Sequence, residues 1–174
     1  ITTGRLHFQK GYSYCLEALK RLKEKGYNFT YNIVGDGPDL AMLKYLVHEW
    51  GLNDEVVFHG KVSSETVMDL LNRADIFILP SLYEGIANAA LEAMSMEIPL
   101  ITTTAGGMSE VLTNKENGII VNRFSSSELA MGIEELLLSK ELRRRVAIKG
   151  RERVKEMFNL QIQISRFIEE YMKA

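Results

Sequence analysis

Glu84 and Glu92 are separated by seven residues in the run Glu84-Gly85-Ile86-Ala87-Asn88-Ala89-Ala90-Leu91-Glu92. The run follows an apolar stretch, Ile76 to Leu79, and its spacing places it where a strand turns into a helix. The first N–H groups of a helix have no internal partner and carry positive potential, so such a turn suits a phosphate. Gly85 lets a ligand come close to the backbone. Glu92, one turn inside the helix above Asn88, offers two acceptor oxygens that fit the vicinal hydroxyls of a ribose. Glu84 precedes the helix and is free to reach a different part of the same ligand.

Two carboxylates would repel a diphosphate unless cations offset them. Arg5 and Lys10 supply the charge in Gly4-Arg5-Leu6-His7-Phe8-Gln9-Lys10-Gly11. A forked guanidinium and a flexible ammonium together suit a diphosphate, and each charge-assisted bond contributes roughly 1.5–3 kcal/mol. The sequence has no Asp-x-Asp pair to hold a divalent metal against phosphates. This chemistry points to a cleft that neutralises a leaving diphosphate with side chains and a helix end, with neither metal nor cofactor.

Elements that could position these residues follow from apolar periodicity. Cys15, Leu16, Leu19 and Leu22 recur at helical spacing up to Gly26. A β-rich run, Phe29 to Val34, ends at Gly35-Asp36-Gly37-Pro38. Leu40 to Trp50 gives a helix, Val56 to Phe58 a short strand, and Ser63 or Ser64 caps a helix through Ala74. Strands at 76–79, 99–103 and 118–121 follow, with a helix at 88–95 between the first two. Ser125 and Glu128 have capping-box spacing, and two last helices cover roughly 140–157 and 160–172. Strand and helix alternate, which predicts an α/β doubly wound parallel sheet, Rossmann-like, with about six strands and flanking helices. Residues 1–174 read as one domain with no internal linker. In such sheets ligands bind beyond the carboxyl ends of the strands, where the loops at 5–10, 35–38, 59–62, 80–87 and 104–109 lie.

Composition removes several classes. The chain has 174 residues, 46% hydrophobic and 25% charged, as in an ordinary folded domain. A net charge of −2 argues against a dedicated nucleic-acid binder. The longest apolar runs fall far below the ~20 residues of a membrane span. One cysteine excludes an internal disulfide framework and favours a reducing, cytoplasmic setting. The chain starts at Ile1 with no charged-then-apolar leader, so no signal peptide is read in it, and the start reads as a cut out of something longer.

The motifs also fall in a familiar order: Gly4-Arg5-Leu6 with Lys10-Gly11, Val34-Gly35-Asp36-Gly37-Pro38, Pro80-Ser81 ahead of Glu84-Gly85 and Leu91-Glu92-Ala93-Met94, Gly106-Gly107 ahead of Glu110, and Asn117-Gly118. This order resembles retaining glycosyltransferases of family four over essentially the whole chain, and in them the C-terminal, nucleotide-sugar-binding half of a GT-B enzyme. The resemblance implies that Glu84 contacts the transferred sugar, Glu92 the ribose, Arg5 and Lys10 the diphosphate, and the amides of 86–88 a phosphate. It places the base near Gly60, Lys61 and Val62. It implies a UDP-, GDP- or similar nucleotide-diphosphate sugar as donor, a leaving diphosphate that helps deprotonate the acceptor, and retention at the anomeric carbon. It further implies an N-terminal acceptor domain as partner, so that this portion alone binds donor and transfers poorly. Ala87 stands where glycine or serine is common in the family, and Ser109 where proline is common.

Plainer roles compete at several positions. Asp36 suits a Gly-Asp-Gly-Pro turn as well as the cleft. Glu110 fits a donor-loop contact or a helix cap, and Gly106 and Gly107 mark the donor loop or a simple strand break. His7 suits loop packing or ligand contact, His48 a solvent-side helix position, and Cys15 an inert core position. Residues 140–156 hold eight basic and three acidic side chains, which fit a solvated helix or a basic face on an anionic membrane surface. Rival functions are a catalytically silent nucleotide-sugar-binding module and an epimerase or phosphorylase on the same fold. A dinucleotide oxidoreductase would want G-x-G-x-x-G in the first turn, and a receiver-like domain an acidic first strand end; neither is present.

Overall fold

A computed structural model describes residues 1–173. Its elements are β1 (Thr2–Thr3), α1 (Tyr12–Glu24), β2 (Tyr31–Val34), α2 (Leu40–Glu49), β3 (Val56–Gly60), α3 (Ser64–Asn72), β4 (Phe77–Leu79), α4 (Asn88–Ser95), β5 (Leu100–Thr103), α5 (Met108–Val111), β6 (Ile119–Val121), α6 (Ser126–Leu138), α7 (Lys140–Phe158) and α8 (Leu160–Lys173). All strand pairs are parallel, β1-β2-β3 in one ladder and β4-β5-β6 in the other. The ladders meet where the Ile78 N–H donates to the Ile1 carbonyl at 2.9 Å and the Thr2 hydroxyl donates to the Ile78 carbonyl at 2.6 Å. The spatial order is therefore β3-β2-β1-β4-β5-β6, with connections that run outward from β1 in one direction and from β4 in the other. This is the predicted doubly wound α/β sheet.

Side chains along each strand alternate between two cores, as a period of two requires. Ile76 and Ile78 join Ile33, Ile101 and Ile119 beneath α1, α2 and α6, whereas Phe77 and Leu79 join Leu100 beneath α3, α4 and α5. Helix α4 meets the sheet through Ala90, Ala93 and Met94. Two alanines let its axis sit close to the sheet, which fixes its first turn beyond the end of β4.

Local signals act largely as their chemistry demands. Ser63, not Ser64, caps α3 and accepts from the Thr66 N–H. Ser125 caps α6 and accepts from the Glu128 N–H at 3.2 Å. The Glu128 carboxylate does not complete a capping box; it accepts instead from the backbone and side-chain N–H groups of Asn122, which hold its carboxyl below the usual range. Of the eight basic side chains between 140 and 156, four are engaged within the molecule. Arg143 donates to the Leu136 and Leu137 carbonyls, Arg153 to those of Val111 and Glu110, and Lys149 and Arg151 pair with Glu116 and Glu97. No helix among the described residues is long and apolar enough to cross a membrane.

Cys15 is fully buried in the core under α1, and burial pushes its thiol up to about 12. At pH 8 only about one molecule in 10⁴ carries the reactive thiolate. A disulfide reagent at pH 8 is expected to leave the folded protein unmodified and to titrate one thiol after guanidinium unfolding; rapid reaction of the folded protein would contradict this core placement.

Candidate functional site

The reversal of strand order between β1 and β4 splits the loops above them, and the candidate residues collect there. After β1, a short 3₁₀ turn at Phe8–Lys10 is capped by His7, whose ring accepts from the Gln9 N–H at 3.5 Å. The Gln9 carbonyl then receives the N–H groups of Leu82 and Tyr83, at 2.7 and 3.3 Å. These two bonds clamp the loop after β4 onto the loop after β1. Gly11, at φ +65°, lies so near the Pro80 carbonyl that a Cβ would overlap it.

This clamp brings Lys10 and Glu84 together as an ion pair across the switch point. Both side chains are partly covered, 27% and 16% exposed, so water screens them less than a surface pair. The Ser81 hydroxyl, buried below them, also donates to Glu84 at 3.2 Å. Thr103 in β5 in turn donates to the Ser81 carbonyl. Spacing does not reveal Ser81 as a site residue; the one available signal is a hydroxyl three positions ahead of Glu84, directly after a strand. Beside Glu84, the exposed ring of Tyr83 and the ring of Phe124 flank the Arg123 guanidinium, at 5.7 and 5.5 Å from the ring centres. That cluster is likewise formed only by the fold.

Helix α4 starts at Asn88, with Ala87 as an extended cap at φ −81° and ψ 116°. The expected amide set is therefore shifted: Ile86 lies outside the helix, and the helix's own free amides are those of Asn88 and Ala89, since the Ala90 N–H already bonds to the Ala87 carbonyl. Among the described residues no protein acceptor takes the N–H of Gly85, Ile86, Ala87, Asn88 or Ala89. The row of open donors is thus longer than the helix end alone would give.

A cleft of about 290 Å³ is lined by Gly4, Arg5, Asp36, Lys61, Val62 and Glu92 among others; Glu92 is the α4 residue that reaches it, and Lys10, Glu84, Gly85, Ile86, Ala87 and Asn88 are not in its lining. The residues named in the lining are expected site residues drawn from four separate parts of the chain. The side chains of Arg5, Lys61 and Glu92 are exposed and make no hydrogen bond or ion pair with a described residue. Asp36 serves both of its readings: it lines the cleft, and its carboxylate accepts from the Gly37 N–H at 2.7 Å. Glu92 stands four residues beyond Asn88, about 6 Å along the helix axis from the open amides. A second cleft of about 290 Å³ lies at the opposite edge of the sheet, between Leu19, Phe29, Tyr31, Arg73 and Ile133, and contains none of the candidates.

Gly106 and Gly107 do not line the cleft with Arg5. They press against its neighbour: a Cβ on Gly106 would overlap the Glu84 carbonyl oxygen, and one on Gly107 would crowd the Ile86 side chain. Ser109 holds this turn by donating to the Gly106 carbonyl at 3.1 Å. Glu110 sits in the first turn of α5, exposed, where a carboxylate favours the helix end. Among the described residues no group of three or more His, Cys, Asp or Glu side chains is placed to hold a metal ion.

The sequence pattern of the glycosyl transferases group 1 family matches residues 1–153. The chain belongs to that family. An α-D-kanosaminyltransferase of Streptomyces kanamyceticus is 34% identical over 147 residues, covering 84% of this chain and 38% of that enzyme. The chain thus spans about two fifths of that relative. The C-terminal domain of a glycosyl transferase group 1 protein, LpcC of Francisella tularensis, superposes with a TM-score of 0.83 at 28% identity, over 91% of this chain and 85% of that one. HepE of Anabaena, whose structure is in complex with UDP, shares the fold with a TM-score of 0.87 at 22% identity, over 99% of this chain and 47% of that one. The architecture is that of a GT-B C-terminal domain.

Gly106 is at φ +63°, where a side chain is strained even without a neighbour. Gly106→Ala is expected to cost about 2 kcal/mol, a fall in Tm of roughly 4–8 °C. Gly85→Ala, where a Cβ would meet open space, is expected to leave Tm nearly unchanged. Thermal unfolding of both variants checks this; equal Tm values would remove the proposed backbone contact.

Proposed function

We propose that this chain is the donor-binding domain of a retaining glycosyltransferase that takes a nucleotide-diphosphate sugar. One observation carries the reading: five consecutive backbone N–H groups, Gly85 to Ala89, take no acceptor among the described residues, and Glu92, on the helix they lead into, lines a cleft together with the exposed guanidinium of Arg5. A row of N–H donors together with a cation suits a diphosphate. An unpaired carboxylate on the same helix suits neighbouring hydroxyls.

In this reading the roles are those that the family resemblance implies. Arg5 and Lys10 with the amides of 86–88, joined by Ala89, hold the diphosphate. Glu92 accepts from the ribose hydroxyls. Gly60, Lys61 and Val62 flank the base in the cleft, and Glu84 accepts from hydroxyls of the sugar. Stronger bonding of Arg5, Lys10 and the amides to the departing diphosphate than to the bound donor would lower the barrier. No divalent ion is needed for that charge balance. The family resemblance supports retention, with the leaving diphosphate helping to deprotonate the acceptor. Acceptor binding falls to a separate N-terminal domain, so this chain alone binds donor and transfers little. The working location is the cytoplasm, at or near the membrane face.

Glu92→Ala is expected to weaken nucleoside diphosphate binding 10–100-fold, about 1–3 kcal/mol. Thermal shift against UDP-, GDP-, ADP- and dTDP-sugars identifies the base, since binding to the folded state raises Tm. Isothermal titration of both proteins then measures the loss. Equal affinities would remove Glu92 from the ribose, and no Tm shift with any of the four would remove the donor site.

A further inference from the structure

Lys10 has two claims on it. In the structure its ammonium pairs with Glu84, and Ser81 supports the same carboxylate oxygen. In the donor-binding reading, on which this inference rests, the ammonium serves the diphosphate. One positive charge cannot neutralise both a carboxylate and a phosphate at hydrogen-bond distance. A diphosphate that recruits Lys10 shares the ammonium's donors and its single charge, so Glu84 loses part of its cation, keeps the neutral donor Ser81, and gains a phosphate as its neighbour. The pair is partly covered, so water compensates incompletely for that loss.

We propose that Glu84 makes the site discriminate between a nucleotide sugar and the bare nucleoside diphosphate that transfer leaves behind. A nucleotide sugar brings hydroxyl donors to Glu84, so the carboxylate gains new partners for the share of Lys10 it gives up. A bare nucleoside diphosphate brings only more negative charge. Discrimination arises from repulsion built against the product as much as from contacts to the donor. The same exchange ejects product once the sugar has left. Among the described residues Glu84 pairs with no second cation: the Arg123 guanidinium stacks on the Tyr83 and Phe124 rings, and Arg5 opens onto the cleft of Glu92.

The test is titration of wild type, Glu84→Gln and Glu84→Ala with UDP, GDP, ADP and dTDP, and with the glucose conjugate of whichever diphosphate binds. Glutamine keeps the shape and the Ser81 bond but removes the charge. Glu84→Gln is expected to bind the bare diphosphate 5–20-fold more tightly than wild type, and its preference for the conjugate should fall by at least that factor. Glu84→Ala should shift the bare diphosphate in the same direction, which keeps the test open if one variant fails to fold by circular dichroism. Unchanged or weaker diphosphate binding in a folded variant would overturn the inference while leaving the donor site standing. Wild type that binds none of the four diphosphates would overturn the donor site itself, and the inference with it.

Discussion

The site depends on one seam. β1 and β4 are hydrogen bonded to each other at the middle of the sheet, yet their following connections leave in opposite directions. Parallel strands need long crossovers of one hand, so the crossovers that leave β1 and β4 in opposite directions, through α1 and α4, pass on opposite faces and do not close over the seam. A crevice at the carboxyl ends of β1 and β4 is the geometric consequence. The two small alanines of α4 bring the helix down beside that crevice, and the Gln9 carbonyl ties the loops on either side together. Position, and not any single residue type, gathers these otherwise ordinary charges at one crevice.

Charge balance around the crevice explains the mixture of residues found there. Open amides and Arg5 create positive potential, which alone would suit any anion. Glu84 and Glu92 limit that freedom, since an anion without hydroxyls to offer them meets repulsion. Glu84 is held by a chain of contacts, from Thr103 through Ser81, with Gly106 closing behind its carbonyl. Glu92 has no such support and projects from a helix rim, consistent with a partner that arrives only with the ligand. The two glutamates therefore have different mechanical characters despite their shared motif.

Much of this arrangement is legible in the sequence, for local reasons. Apolar runs bounded by glycine and proline mark β4 and β5, serine hydroxyls mark the starts of α3 and α6, and the Glu84–Glu92 spacing marks a strand-to-helix turn. The bounds of α4, 88–95, are read correctly, but the amides of Ile86 and Ala87 belong to the approach before the helix and not to its first turn, a distinction that propensity does not make. The roles of Gly106, Ser81 and the Lys10–Glu84 pair are not local. Each joins residues brought close by the topology, the ion pair across 74 positions, so no window along the chain contains its cause. Glu128 shows the same limit in miniature, where Asn122 competes successfully for a carboxylate that spacing assigns to a cap.

The central claim is that the amides leading into α4, with Arg5, grip a diphosphate. Amide NMR of ¹⁵N-labelled protein titrated with a nucleoside diphosphate that binds tests it most directly. The account predicts that the largest shifts fall on Gly85 to Ala89 and on the loop around Arg5 and Lys10, with Leu19, Phe29 and Ile133 at the opposite sheet edge unmoved. Shifts concentrated at that opposite edge, or amides of 85–89 that stay in place while the ligand saturates, would contradict it.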